Sequence, residues 1–412
     1  MIRGIVEGFY GDPWTKDERQ QMMQILGGYG ATHYLFGPKD EPGFRADWRT
    51  PFSREQLARF QEMLEAAEKA GLVLGFALSP GLDIDFGSGA DLEALIAKFQ
   101  QLARAGIPWL GLFWDDIDPD HSHRDLERFP DPGHAQAWVT NQCREALATH
   151  ALAEPWVFCP TEYWGRQDSP YRRALRDALH PSVHVIWTGP GICSEAITGA
   201  DAAQVSAQFG HPLVIWDNYP VNDADMVHEL HLGPLEGRDT DVLAQVAGYL
   251  ANPMDRPWAS VIPLLTILRY LQDPTRYDPW KAWEEALRWW GERFVEPLRQ
   301  LGWATRYSCC GRGSAVEQAF TEAVAAGRSP DASAVDAVLA WRQRSLDDFP
   351  EPLRDEIRPW VEKLNAVSGW LAAFLARDAV SVSTFRAQTE NNGALVFGGQ
   401  VERWLRTQEE GQ

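Results

Sequence analysis

From Ile2 to about Asp273 the chain repeats one pattern: a short apolar run, a polar or glycine-bearing turn, then a longer segment whose apolar positions recur every three or four residues. The short runs are Ile2 to Val6, His33 to Phe36, Val73 to Ala77, Trp109 to Phe113, Trp156 to Cys159, His184 to Trp187 and Leu213 to Trp216, with a weaker one before Asn252. Near-continuous apolar strands are what a parallel sheet covered on both faces requires. Eight strand–helix units predict an α/β fold, a (β/α)8 TIM-type barrel. An open doubly wound sheet is the competing reading, but no G-x-G-x-x-G follows the first strand to support a dinucleotide site.

Helix starts are written in the sequence. Thr15 with Glu18 and Ser53 with Gln56 have capping-box spacing, and Asp131 precedes the helix-opening Pro132. Leu92, Leu95, Ile96, Phe99 and Leu102 form one apolar stripe that Gly106 should stop. Beyond Asp273 the strand-like runs cease. Asp278-Pro279 should open a helix carrying Trp280, Trp283, Leu287, Trp290 and Phe294 on one face. A second helix should carry Leu353, Ile357, Val361, Leu364, Leu371 and Phe374, kinked at Pro359. The predicted organisation is a barrel over 1–273 followed by an all-helical C-terminal domain over 274–412, whose helices could flank the cleft or pair two copies as a homodimer.

Composition narrows the function. A formal charge of -20 repels phosphate backbones and anionic headgroups, so neither nucleic acid nor a membrane surface is an expected partner. Nineteen Trp can supply flat apolar faces for sugar rings as well as core. The apolar stretch Trp258 to Leu268 is about half of the roughly 20 residues a bilayer span needs. Cys143, Cys159, Cys193, Cys309 and Cys310 are odd in number and lack C-x-x-C pairing, which predicts reduced thiols. With Glu7, Asp12, Asp17 and Glu18 in place of a signal-type apolar run, the chain is expected to be cytoplasmic.

Polar residues follow the strands directly, and in a barrel such positions ring one mouth: Glu7-Gly8, Lys39-Asp40, Ser79, Asp115-Asp116, Thr161-Glu162-Tyr163, Thr188 and Asp217-Asn218. The consecutive carboxylates Asp115 and Asp116 are the most informative. Adjacent anions repel, so one is expected to hold a proton while the other stays ionised, the division of labour a glycosidase needs. Neighbours on a regular strand face opposite ways, so both reach one pocket only if the strand ends between them. Two other readings compete. Asp116, Asp118, Asp120 and Glu127 match EF-hand positions, although His121 stands where the loop needs glycine. Asp116, Asp118, His121 and His123 could instead build a metal-dependent hydrolase.

The runs Val6-Glu7-Gly8-Phe9-Tyr10-Gly11, Gly37-Pro38-Lys39-Asp40, Ser79-Pro80-Gly81-Leu82-Asp83-Ile84, Asp115-Asp116-Ile117-Asp118, Pro160-Thr161-Glu162-Tyr163, Trp187-Thr188-Gly189-Pro190 and Trp216-Asp217-Asn218 resemble, in order, glycoside hydrolase family 84, which contains the O-GlcNAcases. The likeness extends through the barrel to Asn252-Pro253. It implies a retaining β-N-acetylglucosaminidase in which the substrate's acetamido oxygen attacks the anomeric carbon to form an oxazoline, without metal or cofactor. By that resemblance Asp115 orients the acetamido N–H and Asp116 is the acid and base. Gly8 and Lys39 would contact sugar hydroxyls; Asn218, Asp223 and Asn252 would hold acetamido and outer hydroxyl groups; Tyr163 and Trp216 would wall the acetyl pocket.

The implied partner is a GlcNAc-bearing glycoconjugate or glycoprotein, with the aglycone left open. Because the chain opens on the first strand, no preceding domain is expected, nor the long insertions and acyltransferase-like regions of animal relatives. A non-catalytic sugar-binding barrel with Trp187 and Trp216 as platforms is the remaining alternative.

Overall fold

The structure, a computed structural model, describes residues 1–117, 128–150, 152–306, 308 and 313–410. The chain forms two compact units. The first comprises Met1–Val221, Leu235–Pro257 and Ile267–Tyr277; the second comprises Asn222–Pro234, Trp258–Thr266 and Asp278–Gln412.

The first unit holds the strands of the described residues: β1 (Ile2–Glu7), β2 (His33–Phe36), β3 (Val73–Leu78), β4 (Trp109–Phe113), β5 (Val157–Cys159), β6 (His184–Trp187), β7 (Leu213–Asp217) and β8 (Gly248–Ala251). They close a barrel in chain order, every pair parallel, with β1 meeting β8 through Ile5 and Ala251. Closure removes sheet edges and turns every strand's C-terminal end toward one mouth. The interior is filled by Val6, Leu35, Ala77, Trp109, Phe113, Val157, Ile186, Val214, Trp216 and Leu250, so the barrel is a packed core.

Helices connect the strands: α1 (Lys16–Gly28), α2 (Arg54–Lys69), α3 (Gly89–Arg104), α4 (Pro132–Ala146), α5 (Pro170–Ala178) and α6 (Gly199–Phe209), with α7 (Pro257–Gln272) following β8. Both predicted capping boxes form, at Thr15 with Glu18 and at Ser53 with Gln56. Asp131 accepts the His134 N–H as the cap of α4. Each cap satisfies backbone donors that a helix leaves open at its start, worth about 1 kcal/mol.

The second unit contains α8 (Pro279–Trp289), α9 (Val295–Ala304), α10 (Ala315–Ala326), α11 (Ala332–Leu339), α12 (Arg354–Leu375), α13 (Ala379–Glu390) and α14 (Gln400–Glu410). Two expectations are corrected here. The aromatic stripe does not continue to Phe294, because α8 stops at Trp289, Gly291 takes φ +106°, and Phe294 closes a short 3-10 turn. Trp280 instead stacks on Trp303, centroids 4.9 Å apart. The helix α12 runs unbroken through Pro359 and begins at Arg354, which leaves Leu353 on the turn before it.

Candidate active site

The site begins where β4 leaves the sheet. Phe113 is its last paired residue, Trp114 N–H still reaches the Cys159 carbonyl at 2.8 Å, and then the ladder ends. Asp115 is 6% exposed, whereas Asp116 is exposed and takes φ +53°, a left-handed conformation that costs a non-glycine residue about 1–3 kcal/mol. That departure breaks the strand alternation. The peptide before Asp115 is also held, because Thr161 Oγ1 donates to the Trp114 carbonyl at 2.9 Å and itself accepts from Gln136 Nε2 at 2.9 Å. Tyr171 completes this half-buried brace, its hydroxyl accepting the Thr161 N–H and donating to Gln136 Oε1.

Asp115 forms an ion pair with Lys39 Nζ through Oδ2, both residues buried. The ammonium also lies 5.5 Å and 5.6 Å from the ring centroids of Phe113 and Trp216, within cation–π range. The other oxygen, Asp115 Oδ1, is buried and has no hydrogen-bond partner among the described residues. A buried acceptor left unmet is costly, and an oxygen so placed can accept from a donor that a ligand brings.

Asp116 is held differently. Its Oδ1 accepts from the Tyr163 hydroxyl at 2.7 Å and its Oδ2 from the Tyr10 hydroxyl at 2.9 Å. Burial, followed by the charge of Asp116, pushes both phenols well above the usual tyrosine range, so each stays a proton donor. The charges of Asp115 and Asp116 both act on Tyr163, and both raise the Cys159 thiol, after burial itself. Tyr163 and Cys159 thus lie within electrostatic reach of both carboxylates.

On the β1, β7 and β8 side, the Gly8 N–H points to Asn252 Oδ1 at 3.4 Å, and Asn252 Nδ2 donates to Asn218 Oδ1 at 3.1 Å. Asn218 Oδ1 also accepts from Trp216 Nε1 at 2.8 Å. A Cβ on Gly8 would stand 2.5 Å from the Trp216 ring, so only glycine allows this approach. The barrel unit thus brings together Gly8, Lys39, Asp115, Asp116, Tyr163, Trp216, Asn218 and Asn252. Asp223 opens the 3-10 turn Ala224–Met226 in the second unit.

Two residues expected at the mouth are buried supports instead. Glu7 is 2% exposed, receives Arg19 through two bonds of 2.6 and 2.7 Å, and accepts from the Tyr34 hydroxyl. Asp217 is fully buried, bound twice by Arg238 at 2.7 and 2.8 Å and by the Tyr249 hydroxyl. These paired charges anchor the strand ends that present Gly8 and Asn218. Asp118, Asp120, His121, His123 and Glu127, on which the EF-hand and metal readings depended, lie outside the described residues. Among the described residues no group of three or more His, Cys, Asp or Glu could hold a metal ion, and Cys143 and Cys159 are free, buried thiols.

Paired carboxylates at the C-terminal mouth of a closed (β/α)8 barrel are an arrangement that barrel glycosidases use. The family model described as beta-N-acetylglucosaminidase matches residues 3–301, and the chain belongs to that family. It is 36% identical over 259 residues to the Protein O-GlcNAcase of Rattus norvegicus and, equally, to that of Mus musculus. The match takes in 61% of this chain but 28% of each of those proteins, so the chain spans little more than a quarter of their length. Among solved structures, a mutant of the Thermobaculum terrenum O-GlcNAc hydrolase superposes with a TM-score of 0.87 at 29% identity, covering 100% of this chain and 96% of that one.

Proposed function

We propose that this chain is a retaining glycoside hydrolase that removes terminal β-linked N-acetylglucosamine by substrate-assisted catalysis, in the barrel over 1–273. The observation that carries the reading is the unpartnered Asp115 Oδ1 beside a second carboxylate that accepts from two phenols. An acetamido N–H is a donor of the kind Oδ1 lacks. Accepting it would turn the acetamido carbonyl oxygen toward the anomeric carbon and stabilise the positive charge that grows on the amide.

In the first step that oxygen bonds to the anomeric carbon while the bond to the leaving oxygen breaks, and Asp116 gives its proton to the leaving group. An oxazolinium ion results, its N–H still held by Asp115. Water then bonds to the anomeric carbon and passes its proton to Asp116 as the ring oxygen leaves, which restores the acetamide and retains configuration. Lys39 and Gly8 would meet sugar hydroxyls, Asn218 and Asn252 the acetamido and outer groups, and Tyr163 and Trp216 the acetyl methyl. Asp223 enters the proposal on the family resemblance alone.

The substrate class proposed is a GlcNAc-bearing protein or other glycoconjugate, in keeping with the names of the rat, mouse and bacterial relatives. A cytoplasmic setting is inferred from the sequence reading, and no described helix is long and apolar enough to cross a membrane. Self-pairing through the helices of 274–412 is the proposed quaternary state, which sedimentation velocity checks. The functional test is hydrolysis of an aryl β-N-acetylglucosaminide by wild type and Asp116→Asn. Loss of general acid–base catalysis should lower the rate on a poor leaving group by about 10²–10⁴-fold, and an unchanged rate refutes the assignment.

A further inference from the structure

Asp116 keeps a left-handed backbone, which a non-glycine residue does only where its surroundings hold it. One group that holds it is Arg45, a residue without a role in the reaction as described so far. Arg45 follows the short turn Pro42–Phe44, which is tied to the end of β3 because the Ser79 N–H donates to the Phe44 carbonyl at 2.8 Å. Only 8% exposed, its guanidinium reaches the site with both terminal nitrogens. Nη2 donates to the Asp116 carbonyl at 3.0 Å, and Nη1 donates to the Tyr10 hydroxyl oxygen at 2.5 Å. The guanidinium carbon also lies 5.3 Å from the centre of the Tyr10 ring.

A guanidinium has donors and no acceptor. The Tyr10 oxygen can therefore only accept from Arg45, and the hydroxyl's own proton is turned to Asp116 Oδ2, 2.9 Å away. A single side chain thus fixes the backbone of Asp116 and, through Tyr10, the rotation of its carboxylate. We infer that Arg45 is a positioning residue for proton delivery, holding Asp116 in the orientation from which it protonates the leaving oxygen. The inference rests on Asp116 being the acid.

Lysine has the charge but not the fork, and cannot satisfy the carbonyl and the phenol in the same geometry. Misplacing an acid by a fraction of an ångström matters in proportion to how much the leaving group needs its proton. This separates positioning from general damage to the fold.

The test compares kcat/KM for aryl β-N-acetylglucosaminides whose phenols range from strongly acidic, such as dinitrophenol, to weakly acidic, such as methoxyphenol. Wild type, Arg45→Met, Arg45→Lys, Tyr10→Phe and Asp116→Asn are measured side by side after thermal melts establish that each is folded. Arg45→Met should lose about 10–100-fold on the weakly acidic phenol and less than about 3-fold on the dinitrophenol, with KM little changed. Arg45→Lys should recover part of the loss. Should Arg45→Met fail to fold, Arg45→Lys and Tyr10→Phe must still show the same leaving-group selectivity, smaller in size.

Equal losses across the series, or none, overturn the inference. If Asp116→Asn is selective and the Arg45 and Tyr10 variants are not, Arg45 is a fold residue and the catalytic assignment stands. If Asp116→Asn is itself unselective, the acid assignment fails as well.

Discussion

Lys39 neutralises Asp115 through one carboxylate oxygen and leaves the other, Oδ1, buried and without a partner among the described residues. The pair is thus a structural element and, on the proposed mechanism, the receptor for the acetamido N–H. Removing the cation should expose the cost of the anion, since breaking a buried ion pair from one side typically costs about 3–5 kcal/mol. Lys39→Met should lower stability in urea melts by about that amount. Asp115→Asn in the Lys39→Met background should restore part of it, a coupling that a double-mutant cycle reads directly.

The approach of Gly8 to Trp216 gives a second prediction. A methyl at residue 8 would sit 2.5 Å from the indole, which must move, and Trp216 is tied through Nε1 to Asn218. Gly8→Ala should cost about 1–3 kcal/mol, as overpacking does. It should also change tryptophan fluorescence and reduce activity about 10-fold or more, because the indole cannot shift without disturbing Asn218.

Lys98 predicts a pH dependence of stability. The residue is 1% exposed, its ammonium lies 2.7 Å from the Thr50 carbonyl and 4.3 Å from the Phe52 ring centre, and burial lowers its pKa to about 8 from 10.5. Between pH 8 and 10.5 the unfolded chain binds the proton and the folded chain has released it. Stability therefore rises with pH across that window, and the penalty for charging the buried amine is present in full below it. Lys98→Met should remove this rise, as urea melts at pH 7.5, 9 and 10.5 will show.

A chelator separates the glycosidase from the metal-dependent alternative. Prolonged EDTA treatment followed by desalting should leave hydrolysis of an aryl β-N-acetylglucosaminide unchanged. An activity that vanishes and returns with added divalent metal supports the metal reading instead.

Much of the barrel was legible because its strands are buried on both faces and so read as apolar runs. Trp109–Phe113 and His184–Trp187 coincide with the predicted runs, and the capping residues Thr15, Ser53 and Asp131 mark real helix starts. What escaped the reading was long-range pairing. Nothing near Arg45 in sequence points to Asp116, 71 positions away, and nothing near Asp217 points to Arg238. Glu7 and Asp217 looked like mouth residues because a charge after a strand usually meets solvent, whereas here an arginine from another part of the fold buries it. The aromatic stripe misled for the opposite reason: its spacing persisted past Gly291, where the backbone had already turned.

Substrate assistance, with the acetamido oxygen as nucleophile and Asp115 as its orienting partner, is what the proposed function stands on. Its most direct test is kcat/KM for a series of aryl glucosaminides in which the N-acetyl group becomes N-fluoroacetyl, N-difluoroacetyl and N-trifluoroacetyl, each step withdrawing electrons from the carbonyl oxygen. Wild type should show a steep fall along the series, and Asp115→Asn a rate lowered by about 10²-fold or more on the parent substrate. A flat series, with rates indifferent to fluorination, would show that some other nucleophile attacks the sugar and would refute substrate assistance.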